Sequence, residues 1–256
     1  MLNLLKRLRR QPSPPSGAVP SGVRIYAIGD VHGRVDLLRE LLVMIGEDNV
    51  ARLETDVQLI FLGDLIDRGP ASADVIRLAM GIASNLKSTR FLMGNHEEVF
   101  LRLLDGDAEL FNFFNKIGGH ETMLSYGISE EQIRSMDDEE LLRVLQAQVP
   151  PEHIEFIRSF EDIVVVGDYA MVHAGIRPGV ALADQQAADL HWIREPFLAH
   201  REPLERIIIH GHSITEHIDE RANRIGIDTG AYYTSRLTAI GLEGSDRWYL
   251  STGAQN

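Results

Sequence analysis

Short apolar runs that end in glycine recur along this chain. Val23-Arg24-Ile25-Tyr26-Ala27-Ile28 runs into Gly29, Leu59-Ile60-Phe61-Leu62 into Gly63, and Phe91-Leu92-Met93 into Gly94. Each has the length and the β-branched or aromatic content of a buried strand stopped by a turn. Between them, Val35 to Met44 and Ala73 to Ala83 repeat apolar residues at helical spacing. The strand, helix, strand, helix order predicts parallel pairing of the early strands. From Glu98 to about Phe160 the pattern changes to Leu, Phe, Glu and Asp, with an acidic stretch at Ser129–Glu140 and a break at Pro150-Pro151. This predicts a helical insertion over about 98–160. Strands return at Ile163–Val166 and Tyr169–Val172, with Gly167-Asp168 as a hairpin turn, then at Ile207–Ile209 and Arg224–Ile227. Leu237–Leu242 and Trp248–Ser251 read as a closing hairpin. Ahead of all this, Gln11–Gly17 and Pro20–Gly22 have the composition of a linker. The expectation is a disordered tail and linker over 1–22 and one domain over 23–256, a length that buries a full core.

The strand ends carry the chemistry. They read Gly-Asp-Val-His-Gly at 29–33, Gly-Asp-Leu-Ile-Asp-Arg-Gly at 63–69 and Gly-Asn-His-Glu at 94–97, followed later by His173-Ala174-Gly175, Gly211-His212 and Asp228-Thr229-Gly230. In open α/β sheets ligands bind beyond the carboxyl ends of strands, where successive loops gather their side chains. Asp30 and His32, two apart in an extended segment, can point the same way toward one ion. Asp64 has two oxygens with which to bridge a second, and Asn95, His173 and His212 would add neutral ligands. The chain has no cysteine, so any metal is held by nitrogen and oxygen. Paired divalent ions serve hydrolytic phosphoryl chemistry, with a metal-bridging hydroxide attacking phosphorus in line. Arg68, one position after Asp67, and Arg194 are cations suited to the nonbridging phosphate oxygens. His96 can protonate the leaving group if Asp67 orients its other ring nitrogen.

Plainer readings compete with each of these. Asp30-x-His32 alone describes a turn, Asp64 or Asn95 could cap a helix, and His173 or His212 could be buried structural histidines. It is the company of the motifs that favours a site. His120, His153, His191, His200, His210 and His217 stay unassigned. Tyr232 and Tyr233 either line the pocket or pack, and Asp228 is a candidate support for a ligand histidine. His96-Glu97-Glu98-Val99-Phe100 lacks the second histidine of a zinc-protease helix, and the chain contains no Walker loop.

Five of these motifs, in this order, resemble the phosphoprotein phosphatase family of dinuclear metallophosphoesterases over roughly Val23 to Leu250. The resemblance implies an α/β fold in four layers, α/β/β/α, with two packed mixed sheets. It implies Asp30, His32 and Asp64 on one metal and Asp64, Asn95, His173 and His212 on the other. It further implies His96 as general acid with Asp67 as its partner, and Arg68, Arg194 and Asn95 on the substrate phosphate. The metals so implied are two divalent ions, Mn²⁺ first, with Fe or Zn as alternatives. His-Ala-Gly in place of His-Gly-Gly, and the helical insertion, bring the chain closer to the small bacterial and phage-type enzymes or to the bacterial diadenosine tetraphosphatases.

Charge narrows the partners. A formal net charge of −13 argues against binding long nucleic acid, which needs clustered Lys and Arg. The tail differs: Lys6, Arg7, Arg9 and Arg10 stand among Leu2, Leu4, Leu5 and Leu8, a set that can make weak membrane or partner contact through residues 1–10. No apolar run approaches a membrane span, and the absence of cysteine suits a cytoplasmic location. The leading expectation is a serine/threonine-type protein phosphatase acting on phosphoproteins. The alternative is a hydrolase of phosphorylated small molecules or dinucleoside polyphosphates such as diadenosine tetraphosphate, with the insertion roofing the site. A phosphate-binding protein without turnover is the third reading.

Overall fold

The computed structural model describes residues 16–253, so the basic residues 1–10 lie outside the described part. In chain order the strands and helices are β1 (Val23–Ile28), α1 (Val35–Val50), β2 (Asp56–Phe61), α2 (Ser72–Asn85), β3 (Thr89–Phe91) and α3 (Asn95–Leu104). Five helices follow: α4 (Phe111–Phe114), α5 (His120–Ser125), α6 (Glu130–Ser135), α7 (Asp138–Gln148) and α8 (Pro151–Arg158). The second half comprises β4 (Val164–Val166), β5 (Tyr169–Met171), α9 (Ala187–Trp192), β6 (Ile207–His210), β7 (Asp219–Glu220), β8 (Arg224–Gly226), α10 (Ala231–Thr234), β9 (Thr238–Glu243) and β10 (Asp246–Ser251).

The strands form two mixed five-stranded sheets, ordered β10-β9-β1-β2-β3 and β4-β5-β6-β8-β7. β1, β2 and β3 pair in parallel, as do β5, β6 and β8, so each sheet has a set of carboxyl ends on one edge. Strand alternation sorts the core into layers. Ile25 and Ala27 of β1 face the second sheet, packing with Ile60, Ile209, Ile225 and Ile240. Tyr26 and Ile28 face the other way, onto Leu38 and Leu41 of α1 and Val75 and Ile76 of α2. On the far side of the second sheet, Ala170 and Ile208 pack with Leu190 of α9 and with Phe197. Both faces of the central strands are therefore covered, which is why they read as near-continuous apolar runs.

Two boundaries differ from the sequence expectation. Ser16–Val19 packs against the body. Ser16 Oγ donates to Asp168 Oδ2 (2.6 Å), Tyr169 OH donates to the Gly17 carbonyl (3.0 Å), and Val19 is buried between the sheets with its N–H on the Gly244 carbonyl (2.8 Å). Proline and serine made this stretch resemble a linker, but its N–H and C=O groups are used by the turns of two hairpins. The third strand ends at Phe91; beyond it the Leu92 N–H donates to the Phe61 carbonyl (2.9 Å) and the Met93 N–H to the Glu161 carbonyl (2.8 Å).

The helices between Asn95 and Arg158 start with readable signals. Ser129 and Gln132 form a capping box before α6, Asp137 and Glu140 form another before α7, and Pro151 opens α8. They are joined to the first sheet through β3. Phe91 stacks on Phe61 (centroids 4.7 Å) and Phe160 (5.3 Å) and meets the edge of Phe156 (4.9 Å). Phe91→Ala should therefore lower stability by about 3–5 kcal/mol, the usual loss for a buried aromatic, read as a lower urea midpoint. Truncating the half-exposed Phe113 should shift the midpoint far less.

Candidate dinuclear metal site

The carboxyl ends of six strands converge. β1 delivers Asp30 and His32, β2 delivers Asp64 to Arg68, and β3 delivers Asn95 and His96. From the second sheet, β5 ends in His173, β6 in Gly211-His212 and β8 in Asp228. Asp30, His32, Asp64, Asn95, His96, His173, His212 and Asp228 are all buried. Two groups can each hold an ion: His32, Asp64 and His96, and Asp64, His173 and His212. Asp64 is common to both. Its Oδ2 faces the Nε2 atoms of His173 (3.4 Å), His32 (3.6 Å) and His96 (3.8 Å), while its Oδ1 accepts the N–H of His96 (3.1 Å).

The hydrogen bonds on the other ring nitrogens show what these imidazoles are set to do. His32 Nδ1 donates to the Ile66 carbonyl (2.8 Å) and His173 Nδ1 donates to the Leu62 carbonyl (2.8 Å). A carbonyl can only accept, so the proton sits on Nδ1 and the Nε2 lone pair is left to face the site. His212 Nδ1 lies 2.8 Å from Asn95 Oδ1, which likewise frees its Nε2. Asp30 Oδ1, His32 Nε2 and His212 Nε2 are buried without any hydrogen-bond partner. Asn95 Oδ1 also lies 3.0 Å from His173 Nε2, two acceptors that need a proton or a cation between them. Orphaned buried acceptors are rare, and here they gather around one carboxylate, the donor set a divalent ion requires.

The electrostatics agree. Burial, then the nearby Asp228 carboxylate, push Asp30 well above the ordinary carboxylate range. Burial pushes Asp228 up to about 6, with Asp64 adding to it. Burial would raise Asp64 as well, but the His173 and His96 imidazoles outweigh it and hold Asp64 well below its usual value. Burial, then neighbouring His96, lower His32, and burial, then His173, lower His212 to about 2. Both rings are thus neutral and ready to ligate. Asp30 and Asp228 are thus carboxyl groups held out of water beside Asp64, and divalent cations there would favour their charged forms.

Beside the metal clusters stands a second arrangement. His96 Nδ1 lies 2.7 Å from Asp67 Oδ2, and its Nε2 lies 3.1 Å from Arg68 Nη2. Burial would depress His96, but Asp64 and Asp67 hold it above the ordinary imidazole value. Asp67 is held in turn by Thr122 of α5, whose hydroxyl donates to Asp67 Oδ1 (2.6 Å), and the N–H of Asp67 donates to Ser72 Oγ (3.0 Å). The Arg68 N–H donates to the Gly118 carbonyl (3.0 Å), so the segment just before α5 grips the arginine. Arg194 reaches the His212 carbonyl with Nη2 (3.4 Å).

The backbone is strained where these side chains leave it. His32 (φ 45°), Asp64 (φ 50°), Asp67 (φ 69°), Arg68 (φ 67°) and His212 (φ 61°) are left-handed, a conformation that costs roughly 1–3 kcal/mol each and is kept where surrounding structure enforces it. His32 is therefore not in an extended segment, as its spacing from Asp30 suggested. Its ring direction comes from the left-handed turn and from the Ile66 carbonyl. Asp30 falls in neither of the two groups, and its Oδ2 accepts the N–H of His212 (2.9 Å). Gly33 and Gly69 let the first two loops touch, since a Cβ on Gly69 would collide with the His32 carbonyl.

Two residues that hold this site together had no role in the sequence reading. Glu97, fully buried, accepts the N–H groups of Asp64 (2.8 Å), Leu65 (2.7 Å) and Gly94 (3.2 Å). An acid three positions after Gly94 is a capping signal that could have revealed it. Thr122 gave no signal, because one hydroxyl bonded across 55 positions leaves no periodicity. His210, a tempting neighbour of His212, packs on Phe197 and lies near Arg224 instead.

The sequence profile of the calcineurin-like phosphoesterase family matches residues 23–236. The symmetrical bis(5'-nucleosyl)-tetraphosphatase of Nitrosospira multiformis is 29% identical over 162 residues, 63% of this chain and 47% of that protein. The asymmetrical bis(5'-nucleosyl)-tetraphosphatase PrpE of Bacillus velezensis is 27% identical over 236 residues, 83% of this chain and 86% of that protein. The chain thus spans about half the length of the symmetrical relative and most of the asymmetrical one. Among solved structures, a candidate diadenosine tetraphosphatase superposes with a TM-score of 0.61 at 18% identity, covering 92% of this chain and all of the other, a likeness of fold. With the family profile covering most of its length, the chain belongs to the calcineurin-like phosphoesterases.

Proposed function

We propose that this chain hydrolyses dinucleoside polyphosphates of the diadenosine tetraphosphate type in a reaction that depends on two divalent metal ions. The observation that carries it is the pair of buried clusters sharing Asp64 with Arg68 beside them, a phosphate-hydrolysing constellation. The activity for which both tetraphosphatase relatives are named supports the substrate class over the protein phosphatase expected from the motifs.

In this reading Asp30, His32 and Asp64 hold one ion and Asp64, Asn95, His173 and His212 the other, manganese, iron and zinc all being suited to nitrogen and oxygen donors. The bound ions supply Lewis-acid polarisation of the phosphoryl group and neutralise its developing charge. Arg68 and Arg194 bind phosphoryl oxygens from two sides, and Asn95 can contact them from the start of α3. With Arg68 taken up by a phosphate, His96 Nε2 no longer accepts from the guanidinium and is free to bind a proton, which it then gives to the leaving oxygen. Asp67 keeps the other ring nitrogen protonated and the ring aimed, and Thr122 keeps Asp67 aimed.

A second reading, hydrolysis of phosphoserine or phosphothreonine in proteins, is favoured by that same dyad. A phosphoanhydride leaves as a stable anion and needs little help from an acid, whereas an alkoxide needs a proton.

Three outcomes are expected. Returning Mn²⁺ to metal-stripped protein at about a hundred times its Kd should stabilise it by about 2.7 kcal/mol, seen as a higher Tm, and Asp64→Asn should lose most of the shift. No shift in the parent protein would sink the metal site. The Mn²⁺-loaded protein should cleave diadenosine tetraphosphate at least about a hundredfold faster, by kcat/KM, than a phosphothreonine peptide; the reverse order would return the protein phosphatase reading. Thr122→Val should lower kcat about tenfold or more on an alkyl phosphate but far less on 2,4-dinitrophenyl phosphate, with Thr122→Ser recovering the loss. Equal losses on both substrates would reduce Thr122 to packing.

A further inference from the structure

Outside the metal clusters, the described surface next to Arg68 carries an aromatic step. The Tyr232 ring meets the edge of His32 (centroids 5.6 Å), and the Arg68 guanidinium lies over it (4.9 Å). Tyr233 packs edge-on against Tyr232 (5.1 Å) and is 59% exposed. Two ring contacts therefore lead outward from the candidate phosphate arginine to an open aromatic face.

The turn that presents it is fixed. Arg34, from the loop after β1, donates to the Ala231 carbonyl (3.0 Å), and Thr234 Oγ1 donates to the Thr229 carbonyl (2.8 Å). Gly230 is left-handed (φ 70°), and a Cβ there would strike the Tyr233 ring, so the ring rests on the glycine with Ile214 alongside. A large ring held still while wet has already given up the freedom that a ligand would otherwise have to remove.

We infer that Tyr233, with Tyr232 beneath it, is a stacking subsite for the nucleobase of a nucleotide whose phosphate sits on Arg68. A nucleobase is flat, apolar on its faces and joined to its phosphate by a ribose, and two contacts of 4.9 Å and 5.1 Å lead from the guanidinium through Tyr232 to Tyr233. Stacking of a base on one aromatic side chain strengthens binding about five- to a hundredfold, without regard to which base it is. This deepens the proposed function and rests on Arg68 as the phosphate contact.

The test uses the Mn²⁺-loaded full chain hydrolysing an aryl phosphate, with AMP and ribose 5-phosphate as competitors. The two carry the same phosphate and differ by the base. AMP should inhibit at about a tenfold lower concentration than ribose 5-phosphate. Tyr233→Ala should close that gap to within about twofold, and Tyr233→Phe, which keeps the aromatic face, should retain it. The ratio is internal to each variant, so a general change in activity cancels. An equal response to both competitors in the parent protein, or a gap that survives Tyr233→Ala, would overturn the subsite. Hydrolysis of diadenosine tetraphosphate is scored separately: if it fails while the AMP gap behaves as expected, the subsite stands and the substrate reading falls.

Discussion

One buried carboxylate sets the geometry on which everything else depends. Glu97 accepts the backbone N–H groups of Asp64, Leu65 and Gly94, and that of Ile66 at 3.3 Å, from inside the protein. It belongs to the first turn of α3, the same turn that carries Asn95 and His96. The loop after β2 and the start of α3 are therefore held by one side chain, and Asp64 is fixed relative to Asn95 and His96. Burial and the nearby Asp64 carboxylate push Glu97 up to about 7, against the pull of the N–H groups it accepts. Its partners are backbone donors that would be left unsatisfied without it, an arrangement in which losing one side is far costlier than the bond itself is worth.

That knot explains how the site tolerates its strained backbone. Left-handed residues at Asp64, Asp67 and Arg68 within five positions would unwind a free loop. Here each is tied to a different element: Asp64 to Glu97, Asp67 to Ser72 and Thr122, and Arg68 to the Gly118 carbonyl. The ties come from α2, α3, α5 and the segment before α5, so helix packing is spent on holding ligand atoms in place. The stable core of the first layer and the unstable geometry of the loop are two sides of one design, in which strain is stored only where many bonds can oppose it.

How much of this could be read in advance follows from the range of the interactions. The strands that end at Ile28, Phe61, His210 and Gly226 were legible because both their faces are buried, which writes an apolar run into the sequence. The two-residue β7 and the four-residue α10 were not, being too short to show a period. The gathering of Asp64, His173 and His212 could be foreseen from strand ends, and the structure brings those side chains together. The turn at His32, the place of Asp30 on the His212 N–H and the support from Thr122 could not, because each is a contact between a side chain and a distant or strained backbone, whereas Glu97 left only the capping signal of α3. Ser16–Val19 was misread for a related reason: composition reports what a segment is made of, not whether nearby hairpin turns will accept its hydrogen bonds.

The helices between Asn95 and Arg158 bear on substrate choice in a way that a roof over the site does not capture. Through Thr122 they aim Asp67, and through the carbonyls of Ile117 and Gly118 they hold Arg68. A change in their packing would reach Asp67, which holds His96, and Arg68 together. The metal clusters set the class of reaction, since any phosphoryl group brings the same charge to them. On the proposed function, selection among phosphates falls to parts that differ between substrates: how strongly the leaving oxygen needs a proton from His96, and what the leaving group can rest on beyond Arg68. On the proposed function the first depends on Thr122 of α5, which holds Asp67, and the second on the tyrosine turn after β8, where Tyr232 lies under the Arg68 guanidinium. Arg68 is thus the point where support from the helical segment and the exposed aromatic face meet, and a substrate that satisfies only one of them uses half of what surrounds the phosphate.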